Sequence, residues 1–121
     1  MFENDQFSRR SRKVADQIKN EISWLIDRKL KDPNKGFITV THVKLSSDMK
    51  LASIYYTILG DEEERQTTKE VLDRSVSFLR YELKDKVKLR FLPELRFFYD
   101  DTFDYSQKIS NLISKIHDQD N

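Results

Sequence analysis

Two short runs of strand character, KLASIYYTIL (Lys50–Leu59) and ELRFFY (Glu94–Tyr99), are separated by a stretch far too long for a hairpin turn. Strands joined by a tight turn lie antiparallel, whereas a helical crossover lets two strands lie side by side in the same direction. The crossover therefore limits the fold more than any other feature. Within it Val71, Leu72, Ser75, Leu79 and Leu83 follow the three-and-four spacing of a helix burying one stripe. Ser75-Val76-Ser77 interrupts that stripe with two small hydroxyl residues around a β-branched one, poor material for a helix interior. Beyond it the charge turns basic, with Arg80, Lys84, Lys86, Lys88 and Arg90 opposed only by Glu82 and Asp85. The pattern predicts a bent helix pair whose second, cationic arm runs to near Arg90, before Pro93.

Upstream, a helix is expected from about Ser8 or Ser11 to Lys31, burying Val14, Ile18, Ile22, Leu25, Ile26 and Leu30. Trp24 falls off that stripe and should be partly exposed. Asp32-Pro33 stops the helix, because the residue before proline is pushed out of helical backbone. Phe37 to Leu45 alternates and is rich in β-branched residues, which reads as a strand. Ser46 to Met49 makes a turn, so this strand and Lys50–Leu59 form an antiparallel hairpin. Gly60 breaks the second strand, and Asp61 with Glu64 forms a capping-box pattern at the next helix. Asp100-Asp101-Thr102 opens a last helix with Ile109, Leu112, Ile113 and Ile116 at helical spacing.

Three short strands cannot bury themselves, and three apolar helical stripes need a surface. The expected architecture is an α+β two-layer sandwich, one domain over residues 9–116, with a flexible N-terminus at 1–8 and a flexible tail at 117–121. A chain of 121 residues with eight Phe, five Tyr and one Trp can build such a core. It lacks cysteine, which excludes a disulfide framework and a thiolate metal site. No apolar run approaches the roughly 20 residues of a membrane span, and MFENDQFSRRSRK lacks the apolar stretch of a secretory signal. A cytoplasmic protein is expected. No nucleophile sits beside a recognisable base and no glycine loop could cradle phosphate, so neither catalysis nor a cofactor is expected. His42 and His117 find no constellation that would make a metal site, and Asp61 to Glu64 suit a helix N-terminus.

Four blocks carry a resemblance to a known family: RSRKVADQIKNEI, LKDPNKGFITVTHVKLSSDM, ASIYYTILGDEEER and LRYELKDKVKLRFLPELRFFYDD. In order and spacing they resemble bacterial ribosome-binding factor A, from about Arg9 to Ile113. The order helix, strand, strand, bent helix, strand, helix is also that of a type II KH domain. A KH domain grips nucleic acid with a GXXG loop, and this chain has glycine only at 36 and 60. The resemblance implies a KH-like domain with a kinked helix in place of that loop. The family's kink has the form Ala-x-Gly, and here Ser75, Val76 and Ser77 take its place. A serine hydroxyl that bonds to the carbonyl four residues back offers another way to bend the helix.

The resemblance further implies a non-enzymatic factor that binds immature 30S ribosomal subunits and 16S rRNA. It would promote late maturation, including 5′-end processing by other proteins, and support growth in the cold. With a formal net charge of only +1, attraction to RNA has to come from segregated cations. The candidates are Arg9, Arg10, Arg12 and Lys13 on the first helix, with Arg74, Arg80, Lys84, Lys86, Lys88 and Arg90 along the bent helix and its exit. Phosphate contacts of this kind position a protein and weaken as salt rises. The aromatics Tyr55, Tyr56, Phe97, Phe98 and Tyr99 are explained more simply by core packing and cross-strand pairing than by RNA stacking. A monomer is expected, since no apolar seam is left over. The other reading is a small interaction module whose positive face docks an acidic protein.

Overall fold

A computed structural model of the chain describes residues 5–119. Its elements are α1 (Asp5–Arg28), β1 (Phe37–Leu45), β2 (Leu51–Leu59), α2 (Glu62–Leu83), β3 (Glu94–Tyr99) and α3 (Thr102–Gln119). The sheet order is β1-β2-β3, antiparallel between β1 and β2 and parallel between β2 and β3. The crossover has the consequence expected of it. Helices α1 and α2 cover one face of the sheet, as a two-layer α+β sandwich requires. No described helix is long and apolar enough to cross a membrane.

The core lies between those layers. Ile18, Ile22 and Leu25 of α1 meet Ala52, Ile54 and Tyr56 of β2 and Val71, Leu72, Leu79 and Leu83 of α2, all buried. Trp24 stays 42% exposed, as its place off the stripe predicts. Residues 1–4, 120 and 121 of the expected flexible ends lie outside the described residues. The helix begins at Asp5, however, three residues before Ser8, and α3 continues to Gln119.

At its C-terminus α1 closes three residues short of Lys31. Lys29 and Leu30 both donate their backbone N–H to the Leu25 carbonyl, leaving Ile26 without its usual helical partner. Lys35 fills that position, its Nζ donating to the Ile26 carbonyl at 2.7 Å. Gly36 then passes close to α2, its N–H donating to Thr68 Oγ1 at 3.0 Å. A Cβ at residue 36 would stand 2.8 Å from that same oxygen, so only glycine fits without a shift.

Strand β1 contains a bulge. Val40 pairs with Tyr56 and His42 with Tyr55, so Thr41 is an extra residue. Before it the inward positions are Ile38 and Val40; after it they are Val43 and Leu45. Thr41 Oγ1 lies 2.6 Å from Asp100 Oδ2 and donates to it across the sheet end. Thr102 N–H donates to the other oxygen at 3.0 Å. Bonds from the Thr41 and Thr102 hydroxyls and from the Thr102 N–H favour the carboxylate over the acid. Helped by the nearby His42, they outweigh the opposing effect of burial and hold the Asp100 pKa down to about 2.

Helix α2 opens with the expected capping box, Asp61 Oδ1 accepting from Glu64 N at 2.8 Å and Glu64 Oε1 from Asp61 N at 3.4 Å. Two expectations about this helix need correction. It runs unbroken from Glu62 through Ser75-Val76-Ser77 to Leu83, one helix and not a pair. It also ends at Leu83, where Lys86 and Val87 both donate to the Leu83 carbonyl in a tight turn, so Lys84 to Arg90 are not helical. The expected back-bond is present, with Ser75 Oγ donating to the Val71 carbonyl at 2.6 Å. The hydroxyl bonds within the helix, so the ladder is not interrupted.

Helix α3 departs from expectation as well. Ile109, Leu112, Ile113 and Ile116 are 40% to 61% exposed and add nothing to the core. The argument that every apolar stripe finds the sheet holds for α1 and α2 and fails for α3. The premise behind a monomer, that no apolar seam is left over, fails with it.

Two outcomes test this packing. Gly36→Ala should destabilise the protein by about 1–3 kcal/mol in urea unfolding. Gly36→Ala combined with Thr68→Ala should lose clearly less than the sum of the single losses, because the second change removes the atom the new methyl meets. Asp100 has a depressed folded pKa, so its contribution is complete above the ordinary carboxylate value of about 3.9 and is lost as pH falls toward about 2. Asp100→Asn should therefore be less stable at neutral pH, and its stability should fall less steeply between about pH 4 and 2.

Candidate nucleic-acid interface

In the exit from α2, residues 86–90 switch between exposed and buried or half-buried positions. Val87 and Pro93 are buried, and Leu89 and Leu92 pack against the core from partly buried positions. Lys86, Lys88 and Arg90 stand between these anchors and are exposed. Val87 and Leu89 turn toward the core, and Lys86, Lys88 and Arg90 on either side of them face solvent. The apolar anchors thus set the direction of the charges.

Arg80 holds the far end of this segment. Its Nε donates to the Pro93 carbonyl at 3.1 Å and its Nη2 to the Leu92 carbonyl at 3.0 Å. The planar guanidinium presents two of its N–H groups in a fixed fork to successive carbonyls at the entry to β3. Counted from the sequence among the RNA-binding cations, Arg80 is engaged here as a positioning residue. Lys84, Lys86, Lys88 and Arg90 form no ion pair among the described residues.

Aromatic rings stand among these cations. Lys86 Nζ lies 4.4 Å from the centroid of Trp24 on α1, Lys84 Nζ lies 5.4 Å from that of Tyr81, and the Arg90 guanidinium carbon lies 5.7 Å from that of Phe91. Tyr81 and Phe91 are 67% and 74% exposed, so their ring faces are open to solvent beside these charges. Sequence analysis missed both as members of the site. Tyr81 could have been found, because it lies off the stripe formed by Leu72, Leu79 and Leu83.

The remaining cations fall elsewhere. Arg9, Arg10, Arg12 and Lys13 are exposed near the start of α1. At about 1.5 Å of rise per residue, Lys13 lies about 16 Å along the helix from Trp24, where the loop touches α1. Arg74 is six residues before Arg80, on another face of α2, and pairs with Asp32 at 3.3 Å. It ties the helix to the turn after α1. The residues of the expected kink sit at the surface of α2, Ser75 and Val76 half-buried and Ser77 exposed. Of the aromatics assigned to packing, Tyr56 is buried and Phe97 and Tyr99 pack against the core. Tyr55 and Phe98 turn to the face of the sheet away from α1 and α2, with Phe98 42% exposed. Among the described residues no group of His, Asp and Glu is placed to hold a metal ion.

Comparison with known proteins identifies the family of the chain. The family model for ribosome-binding factor A matches residues 10–113. The ribosome-binding factor A of Macrococcus caseolyticus is 44% identical over 110 residues, spanning 91% of this chain and 96% of that one. That of Staphylococcus saprophyticus is 39% identical over 111 residues, spanning 92% and 97%. The crystal structure of Thermus thermophilus ribosome-binding factor A superposes with a TM-score of 0.64 at 29% identity, covering 74% of this chain and 94% of that one. A homology model of the Thermus thermophilus factor, fitted into a cryo-EM map of a 30S–RbfA complex, gives 0.59 at 30% identity, covering 71% and 90%. With a family model matched across most of its length and relatives of nearly equal extent, the chain belongs to the ribosome-binding factor A family, and its fold is KH-like.

Proposed function

We propose that this protein is an assembly factor of the small ribosomal subunit, binding immature 30S subunits and their 16S rRNA through the segment from Lys84 to Arg90. The observation that carries the reading is the exit from α2, where Val87 and Leu89 are held against the core while Lys84, Lys86, Lys88 and Arg90 are exposed and form no ion pair among the described residues. The complex of a relative with the 30S subunit supports the choice of partner. Lysine and arginine side chains on a pinned chain exchange the counterions of RNA phosphates for fixed charges, so affinity comes with a steep salt dependence. Trp24, Tyr81 and Phe91 add ring faces beside those charges, on which bases or riboses can pack. Such contacts carry little sequence information. Selection of one site on the subunit then follows from the shape of the RNA that fits along the loop.

Arg9, Arg10, Arg12 and Lys13 form a second, separate contact in this reading, and Arg74 and Arg80 hold the loops that shape the first. Ser75, Val76 and Ser77 occupy the place of the KH loop without its glycines. A factor of this kind alters the subunit by binding and not by chemistry, so its part in late 16S rRNA maturation, including 5′-end processing, is to hold the RNA in a form that other enzymes trim.

Lys84→Glu, Lys88→Glu and Arg90→Glu together should weaken co-sedimentation with purified small subunits by at least about tenfold at moderate salt, with a shallower dependence of binding on salt. The fold should persist, since none of the three is an anchor. In cells lacking the native factor, the reversed variant should leave 16S rRNA with immature 5′ ends where the wild type restores them. Undiminished binding to small subunits, or binding that survives nuclease treatment of the extract, would contradict the proposal.

A further inference from the structure

The face of the sheet turned away from α1 and α2 carries a row of rings that the cationic loop does not use. His42 of β1, Tyr55 of β2 and Phe98 of β3 occupy paired positions across all three strands. The His42 and Tyr55 rings stack with centroids 4.2 Å apart and planes 8° from parallel. Those of Tyr55 and Phe98 lie 5.6 Å apart at 31°. The bulge at Thr41 makes this row possible. Val40 points to the helices, and in a regular strand of the same sequence His42, two residues on, would do so too.

Ordinary core packing does not account for the row. The His42 side chain is 56% exposed and Phe98 is 42% exposed, while Tyr56, Phe97 and Tyr99 take the inward positions. The imidazole is restrained at the sheet edge, its Nδ1 3.8 Å from Asp100 Oδ2. Two residues along the same face from His42 and from Phe98 stand the cations Lys44 and Arg96, Arg96 also meeting Glu94 at 3.3 Å. The positions between the rings and the ends of β2 are Ser53 and Thr57. Rings in a polar, cation-flanked surround do not form an aliphatic seam for the apolar stripe of α3 or for a protein partner. They fit a ligand with flat π faces and a negatively charged backbone.

We propose that His42, Tyr55 and Phe98 form a stacking platform for unpaired bases of RNA, with Lys44 and Arg96 placed for the flanking phosphates. The platform rests on the RNA-binding reading above but is a separate contact, on the opposite face of the sheet from α1 and α2. Stacking of a base on each ring is the contact that holds the RNA here. Loss of one such contact corresponds to about a tenfold change in affinity.

The test uses fluorescently labelled oligoadenylate and the full chain, followed by anisotropy over a salt series. Tyr55→Leu with Phe98→Leu keeps the face apolar but removes the rings; Tyr55→Phe with Phe98→Tyr keeps the rings. The leucine pair should bind at least about tenfold more weakly with an unchanged salt slope, and the ring-retaining pair should bind as the wild type does. Equal binding by the leucine pair and the wild type would overturn the platform. So would equal loss in both pairs, which would report a packing effect, or absence of wild-type binding until α3 is removed, which would make α3 the occupant. Dimerisation of the wild type that the leucine pair abolishes would make a second copy the occupant and overturn it too. If only the variant reversed at Lys84, Lys88 and Arg90 loses the oligonucleotide, RNA binding stands and the platform falls.

Discussion

A strand can reach a parallel neighbour only by carrying the chain back from one end of the sheet to the other, and that return is what the rest of this structure is built on. Helix α2, about 33 Å long from its 22 residues, covers the length of the nine-residue β2, about 30 Å. The chain then still has to enter β3 from the correct end. It does so through a non-helical segment that buries Val87 and Pro93 and is gripped at Leu92 and Pro93 by Arg80. Packing and charge are therefore one problem here. The anchors that close the core also decide which way Lys86, Lys88 and Arg90 face.

Much of the fold was legible because the sequence signals agree with one another. Phe37–Leu45 and Glu94–Tyr99 have the bounds read from alternation, and the Asp61–Glu64 box opens α2 as its spacing requires. Three features were misread, each for a physical reason. The phase change at Thr41 was visible as Ile38 and Val40 giving way to Val43 and Leu45, but a bulge inside an otherwise regular strand looks like alternation. The run from Lys84 to Arg90 reads as a helical arm because it follows a strong helix, although Val87 and Leu89 stand two apart and not at the helical three or four. In α3 the spacing of Ile109, Leu112, Ile113 and Ile116 is helical, and the helix forms. What spacing cannot show is whether a surface waits for the stripe.

The candidate site divides in the same way. That cations cluster after residue 79 could be counted directly. Which of them are engaged elsewhere could not, because the Arg80 and Arg74 contacts reach residues 12 to 42 positions away. The serines in place of the KH loop give a related lesson. Glycine at such a site supplies backbone freedom, whereas Ser75 supplies a bond to Val71 that leaves the helix whole. The helix therefore runs on through the place of that loop, and the exposed cations lie at its exit.

The central claim is that the segment from Lys84 to Pro93 is the surface that meets the small subunit. Hydrogen–deuterium exchange of the protein, free and bound to purified 30S subunits, tests it without altering a single residue. Slowed exchange over residues 84–93, exceeding any change in β1 or α3, is the predicted result. Unchanged exchange across that segment, with protection confined to the start of α1 or to α3, would contradict the account and move the interface away from the loop.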